Sequence, residues 1–161
     1  MLASLNALVG RAVIWQDQKL GLVERAVPDV PGRGLDGLVI RRGLSVARWI
    51  ANEDILLLGE NCIVVRRKPQ RMPEKKNAIP GRVFLTSGEC AGEVTDVFVE
   101  TDTLRLAALE VCQGPFYRLM GRRAYAAQFH MNAGGEEGDV TAPALLSWTQ
   151  LKTQLEEGEN R

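Results

Sequence analysis

The chain repeats itself at a spacing of 71 residues, and this repeat limits its architecture more than any other feature. Residues 8–27 align with residues 79–98 without a gap, and the alternation of apolar and polar residues coincides in both segments. The identities include Gly10 with Gly81, Arg11 with Arg82, Gly21 with Gly92, Val23 with Val94 and Gly43 with Gly114. A chain of 161 residues can hold two such units, since a domain needs roughly 50 residues to bury a core. We interpret the repeat as a duplicated small domain.

Each copy has the pattern of a β-hairpin followed by further short strands. Residues 11–15 and 82–86 are β-rich, polar glycine-bearing turns follow, and the strand pattern then resumes. Third strands are expected at 35–42 and 104–112, and last strands at 63–67 and 139–142. Past Gly43 the second copy carries about three extra residues, so residues 49–55 correspond to 123–129. Short strands separated by turns predict a small barrel or rolled sheet in each copy.

The glycines of residues 78–100 raise the question of whether they bind a phosphate or form turns. A phosphate-binding glycine loop lies between a strand and a helix. Here a β-rich run follows Gly88 and Gly92, and Asp17 takes the place of Gly88 in the first copy. We therefore predict structural turns, with the positions Gly10, Gly21, Gly81 and Gly92 as their glycines.

The residues at these corners resemble the PRC-barrel family. The family's opening pattern is matched in the second copy by Gly81, Arg82, Gly92, Val94, Asp96 and Val97. The first copy matches at Gly10, Arg11, Gly21 and Val23, but Arg25 stands where aspartate is usual. Residues 49–55 resemble the family's Pro-Trp-x-x-Ile element, with Ile50 where proline is common. The resemblance covers about residues 5–142.

The resemblance implies two tandem PRC-like β-barrels, and the helical spacing of apolar residues in the tail adds a short C-terminal helix to this all-β protein. The expected boundaries are a first domain at 1–68, a basic linker at 69–77, a second domain at 78–142 and the helix at 143–157. The implied function is that of a non-enzymatic adaptor or scaffold that docks on a protein assembly. The family shares no catalytic residue, so the resemblance carries none over.

The residues themselves also favour a protein without a catalytic, cofactor or metal site. His130 is the single histidine, and no Cys-x-x-Cys pair completes a zinc site. Arginines near Cys112 would favour a reactive thiolate, but the place of Cys112 at the end of an apolar strand favours an inert packing thiol. Three carboxylates could form a catalytic pair, but a solvated strand edge and turn explains them more simply: Asp96, Glu100 and Asp102. The cysteines are expected to be buried free thiols.

The segment 66–76 is the richest charge feature, with six basic residues against one acidic residue. Two prolines exclude regular structure there, which favours a solvated linker. The alternative function is an RNA-binding or ribosome-associated accessory protein, because basic side chains bind phosphates. Its nucleic-acid contacts would be Arg66, Arg67, Lys68, Arg71, Lys75 and Lys76. The equal totals of 20 basic and 20 acidic residues argue against a general attraction to nucleic acid.

Two apolar segments are candidates for binding a protein partner. The insertion at 113–123 mixes aromatic residues, arginines and glycines, a composition that is favoured at interface hot spots. The tail at 142–157 places Trp148 and three leucines at helical spacing, with Pro143 near the helix start. Either segment also has a plain interpretation, which is packing against its own barrel. The predicted partner-binding residues are Phe116, Tyr117, Arg118, Met120, Arg122 and Trp148.

The partner itself is not specified by the sequence, and a second copy of the chain is one candidate. No run approaches the roughly 18 apolar residues of a membrane span, so membrane insertion is not expected. The first residues lack a basic segment and a long apolar core, which favours the cytoplasm.

Overall fold

The computed structural model describes residues 1–74, 79–132 and 138–159, and within these ranges it is built mainly of β-strands. The contacts divide the chain into two compact units. Unit 1 comprises Met1–Ala78 with Phe98–Ala107, and unit 2 comprises Ile79–Val97 with Ala108–Arg161. Thus ten residues of the second sequence copy, Phe98–Ala107, belong to unit 1.

Unit 1 contains the six-stranded sheet and a short helix near its start. Its described elements are β1 (Leu2–Ser4), α1 (Leu5–Leu8), β2 (Ala12–Trp15), β3 (Gln18–Asp29), β4 (Gly34–Arg41), β5 (Arg48–Ala51), a 3-10 helix (Asn52–Asp54), β6 (Ile55–Leu58) and β7 (Cys62–Val65). The sheet order is β5-β4-β3-β2-β7-β6, and β2 pairs with β7 in parallel. Leu8, Val13, Leu38 and Ile63 have no exposed surface and form part of the core.

The second sequence copy repeats this strand order. Its described elements are β8 (Arg82–Leu85), β9 (Cys90–Glu100), β10 (Leu106–Cys112), α2 (Pro115–Leu119), β11 (Ala124–Ala126), β12 (His130–Met131), β13 (Val140–Ala142) and α3 (Trp148–Glu159). The order is β11-β10-β9-β8-β13-β12, with β8 and β13 parallel. β1 pairs with the end of β9, at residues that belong to unit 1. The common order and the common parallel pair support the duplication.

The predicted barrels are confirmed only in part, as β-rich units. Each copy forms an open strand order, and no pair of described strands closes either sheet into a barrel. The predicted hairpins and third and last strands are present.

The gap-free alignment of the first strands is wrong by one residue. Val13 lies opposite Gly21, whereas Val83 lies opposite Gly92. Arg82 therefore takes the place of Ala12 rather than that of Arg11. The reason is the turn: the first hairpin turns through two residues, but the second adds one, and the amide of Leu85 donates to the carbonyl of Glu89 at 2.8 Å. The slip keeps both valines fully buried, as a period of two requires.

The insertion in the second copy, relative to the first, is also longer than the sequence indicates. Trp49 lies opposite Val39 in the first sheet, and Tyr125 lies opposite Glu110 in the second. Tyr125, and not Arg123, therefore takes the place of Trp49. The helix α2 accounts for the added length, since it lies in the connection before β11.

The C-terminal helix begins at Trp148 rather than at residue 143. Ser147 caps it: its Oγ accepts from the amide of Gln150 at 3.3 Å, and the Gln150 side chain accepts from the amide of Ser147 at 2.8 Å. This reciprocal arrangement is a capping box. Leu151 is fully buried, so the helix packs within its own chain.

Candidate functional site

Each unit contains a groove at the same place in its fold. Groove 1 lies in unit 1, has a volume of about 480 Å³, and adjoins the connection from β4 to β5. Groove 2 lies in unit 2, has a volume of about 220 Å³, and adjoins the connection from β10 to β11. The corresponding lining residues are Leu20 and Ala91, Ile40 and Val111, Arg42 and Gln113, Val46 and Tyr117, and Pro69 and Leu145. The two copies therefore share a groove as well as the strand order of the sheet.

A short backbone contact fixes one wall of each groove. In unit 1 the amide and carbonyl of Trp49 bond to those of Gln70, at 2.9 and 2.7 Å. In unit 2 Tyr125 and Leu146 form the same antiparallel bridge, at 2.9 and 2.8 Å. Each bridge holds the chain after the last strand against an edge strand. The residue before it, Pro69 or Leu145, consequently lines the groove.

The connection that contains α2 presents most of the predicted partner-binding residues to solvent. None of the five residues of α2 is buried. Phe116 is 69% exposed, Leu119 is 87% exposed and Met120 is 55% exposed. The rings of Phe116 and Tyr117 meet edge to face at 6.2 Å, and Tyr117 lines groove 2. Phe116 therefore does not cover its own sheet.

The arginines of this connection differ in their partners. Arg118 and Arg122 form no ion pair with another described residue. Arg123, which the sequence interpretation did not select, pairs with Glu110 at 3.3 Å. Glu110 is buried and also accepts from the hydroxyl of Thr95 at 2.7 Å. Since Glu110 takes the place of Val39, comparing the two copies would have revealed a buried charge.

Trp148 contributes to packing inside unit 2. Its ring lies 5.2 Å from that of Tyr125, and Lys152 lies 5.5 Å above it. In unit 1 the corresponding residue is Met72, which packs against the cluster of Val27, Val39 and Trp49. Burial raises the pKa of Tyr125, and the negative charge of Glu110 raises it further. Trp148 thus connects the start of α3 with β11, and it remains 37% exposed, so its predicted role in binding a partner stays a prediction.

Three of the six basic residues proposed for nucleic acid contact other residues of unit 1. Arg67 pairs with the buried Asp54 at 3.5 Å, and the ammonium of Lys68 lies 4.9 Å from the centre of the Trp15 ring. The carbonyl of Arg66 accepts from the indole of Trp15 at 3.1 Å. Arg71 is exposed, whereas Lys75 and Lys76 lie outside the described residues. The segment 66–72 is thus attached to unit 1, and RNA binding stays a prediction.

The cysteines are free, but only Cys112 is buried as predicted. Its thiol donates to the carbonyl of Gly114 at 3.2 Å, which agrees with a packing role. Cys62 is half-buried and Cys90 is exposed, and each is the first residue of a strand. His130 is exposed on β12.

One of the three carboxylates is not solvated, contrary to expectation. Asp96 is buried and accepts from the amide of Val97 at 2.7 Å. Glu100 accepts from the hydroxyl of Thr103, and Asp102 accepts from that of Thr101, so these two stabilise a local turn.

Two of the four predicted turn glycines do not lie in turns, since Gly21 lies within β3 and Gly92 within β9. Gly10 adopts a φ of 85°, and Gly81 accepts from the amide of Val94 at 2.9 Å just before β8. At Gly21 an added Cβ would lie 2.6 Å from the carbonyl oxygen of Arg41. At Gly92, where φ is 139°, it would lie 2.7 Å from the carbonyl carbon of Cys112.

Within the described residues, no group of three or more His, Cys, Asp or Glu side chains is placed to hold a metal ion. The helices of the described ranges include none that is long and apolar enough to cross a membrane. No family model matches the chain, and no curated protein matches its sequence.

Proposed function

We propose that the chain is a non-enzymatic, cytoplasmic adaptor of the PRC-barrel type that docks on a protein assembly. The docking surface, here called the α2 surface, consists of Phe116, Tyr117, Arg118, Met120 and Arg122. The observation that carries the proposal is the exposure of α2, none of whose residues is buried. The common strand order of the two copies and the resemblance of their glycine corners support the family.

The α2 surface has the chemistry of an interface core. Single exposed apolar residues are normal, but here Phe116, Leu119 and Met120 are exposed within one short connection. Aromatic residues, methionine and arginine are enriched at interfaces, and a few of them carry most of the binding energy. Arg118 and Arg122 are available to a partner, since they pair with no other described residue. A partner would bury the rings and pair these arginines.

The test compares capture of a partner by the native chain and by the F116S/Y117S variant. The partner captured by the native chain from lysate is identified, purified and titrated against both proteins by calorimetry. We expect the variant to bind more weakly by about 2 kcal/mol, since two hot-spot side chains are lost. Its melting point should stay close to that of the native chain, because Phe116 is exposed.

The matched control is the L56S/L57S variant, which removes two large side chains that are each 56% exposed on β6. This control should keep the native affinity. Equal loss in both variants would contradict the α2 surface, because it would indicate a general loss of apolar adhesion. RNA captured with a steep salt dependence, by the native chain and F116S/Y117S alike, would favour the RNA-binding alternative.

A further inference from the structure

We infer that groove 1 is a second docking site, which binds an acidic peptide segment of a partner protein by one apolar side chain. This site goes beyond the proposed function, which uses the α2 surface of unit 2. Groove 1 belongs entirely to unit 1, so the two sites can be tested separately.

The floor of groove 1 fits an apolar side chain. Ile40 is buried and Leu20 is half-buried, and both line the hollow. Pro69 forms a wall that the Trp49–Gln70 bridge holds in place. The volume of about 480 Å³ falls within the range of about 300–1,000 Å³ that is typical of binding pockets.

The charges at groove 1 select an acidic occupant. Arg42 and Arg48 line it, and neither forms an ion pair with another described residue. No acidic side chain is among the residues that line the described groove. Carboxylates of a bound peptide would pair with these arginines. Hydrogen bonds between arginine and carboxylate are stronger than hydrogen bonds between neutral groups.

The neighbouring Arg41 shows how these arginines are kept available. Arg41 forms a two-pronged ion pair with Glu24 and donates to the carbonyl of Ser45 at 3.0 Å. Glu24 is therefore already paired, and the hydrogen bond from Arg41 to Ser45 holds the loop that carries Arg42. Leu44 and Val46 on this loop are exposed and can cover a peptide that lies in the groove.

A peptide suits this hollow better than nucleic acid or a lipid surface. None of the side chains that line the described groove is aromatic, so a base would find no ring for stacking. The apolar floor of Ile40 and Leu20 lies within the groove, where one side chain of a peptide can enter, whereas a bilayer would reach only the exposed Leu44 and Val46.

The probe is a short fluorescein-labelled peptide with one leucine between pairs of glutamates, titrated with the full chain by fluorescence polarisation. The R42A/R48A variant should weaken binding about tenfold, because two charged contacts are lost. The R25A/R105A variant removes the same charge from exposed positions of unit 1 that do not line the groove. This control should change the affinity less than about twofold, since screened charges at a distance contribute little.

Amide shifts in a nuclear magnetic resonance titration then locate the bound peptide. Shifts at Leu20, Ser45 and Val46 that vanish in R42A/R48A support the site. Shifts confined to unit 2 would overturn it without affecting the proposed α2 surface. Equal weakening in R25A/R105A would also overturn the site. So would undiminished binding when serine replaces the leucine of the peptide. A third contrary result would be binding that depends on Arg42 but is found only with phosphatidylserine vesicles.

Discussion

Units 1 and 2 share the order of their strands but differ in what surrounds the edge strand. In unit 1 the edge residue Trp49 packs with Val39 and Met72 in an apolar cluster. In unit 2 the corresponding residue Tyr125 lies beside the buried Glu110 and the helix residue Trp148. The sheet is thus the common part of the two copies, and the edge is where they have become different.

The connection beside that edge differs in the same way. In unit 1 a short loop with Leu44 and Val46 adjoins a groove of about 480 Å³. In unit 2 a longer connection adds α2, and Tyr117 lines a groove of about 220 Å³. Unit 1 thus has the larger groove, whereas unit 2 has a short exposed helix in the corresponding connection.

The largest expected effect tests what the two copies share. Gly92→Ala and Gly21→Ala should each lower the free energy of unfolding by roughly 2 to 4 kcal/mol, since the added Cβ meets a backbone carbonyl. Gly88→Ala is the matched control, because Gly88 has a φ of 89° and nothing within 4 Å of the added Cβ. It should cost only about 1 kcal/mol, from backbone strain. Urea denaturation measures all three.

If Gly21→Ala were tolerated while Gly92→Ala was not, the two corners would not be equivalent. Equal costs at Gly88 and Gly92 would mean that positive φ, and not the approach of the Cys112 carbonyl, determines the need for glycine.

Much of the shared fold is predictable from the sequence, because glycine spacing and alternating apolar residues report turns and buried faces. The sequence alone aligns Arg82 with Arg11, whereas the structure aligns it with Ala12. A gap-free repeat cannot show that one turn is a residue longer, although burial of Val83 depends on it. The start of α3 could have been found, since Ser147 and Gln150 form a capping pattern that overrides Pro143.

The intermediate effect tests a difference between the copies. Arg123→Ala leaves the buried Glu110 with the hydroxyl of Thr95 but without its ion pair. We expect a loss of about 1 to 2 kcal/mol, less than for a fully buried pair, because Arg123 is half-exposed. Thermal and urea unfolding give the value.

The double variant E110V/R123A makes this position resemble that of Val39 in unit 1. It should recover stability to within about 1 kcal/mol of the native chain, since an apolar pair often replaces a buried ion pair without loss. A double variant as unstable as Arg123→Ala would show that Arg123 stabilises unit 2 by its packing rather than its charge.

The candidate sites were less predictable than the fold for a physical reason. Sequence composition located the exposed residues of α2, because an apolar insertion has few places to pack. It gave no sign that Lys68 contacts the Trp15 ring or that Arg67 pairs with Asp54, since both contacts join segments that are distant in sequence. Groove 1 was not predicted because its floor comes from β3 and β4 and one wall comes from the segment after β7, which are distant in sequence.

The smallest expected effect concerns the edge residues at high pH. Burial first, and the negative charge of Glu110 second, raise the pKa of Tyr125 above its ordinary value near 10. Below that value Tyr125 is protonated in both the folded and the unfolded chain, so it contributes no pH dependence. As the pH rises toward the folded pKa, the unfolded chain releases the proton more readily, and the free energy of unfolding therefore decreases.

Tyr125→Phe should remove this alkaline component, because phenylalanine has no hydroxyl to ionise. Unfolding in urea is followed at several pH values around 10 for the native chain and the variant, and the difference between their slopes isolates Tyr125 from the lysines. Tyr117→Phe removes the hydroxyl of a residue that is 38% exposed, and it is the control for the loss of a phenol as such. A native slope in Tyr125→Phe would show that the hydroxyl is not buried beside Glu110 at the edge of unit 2. The distinction between the edges would then depend on Glu110 and Arg123 alone, and Trp49 and Tyr125 would be equivalent packing residues in the two copies.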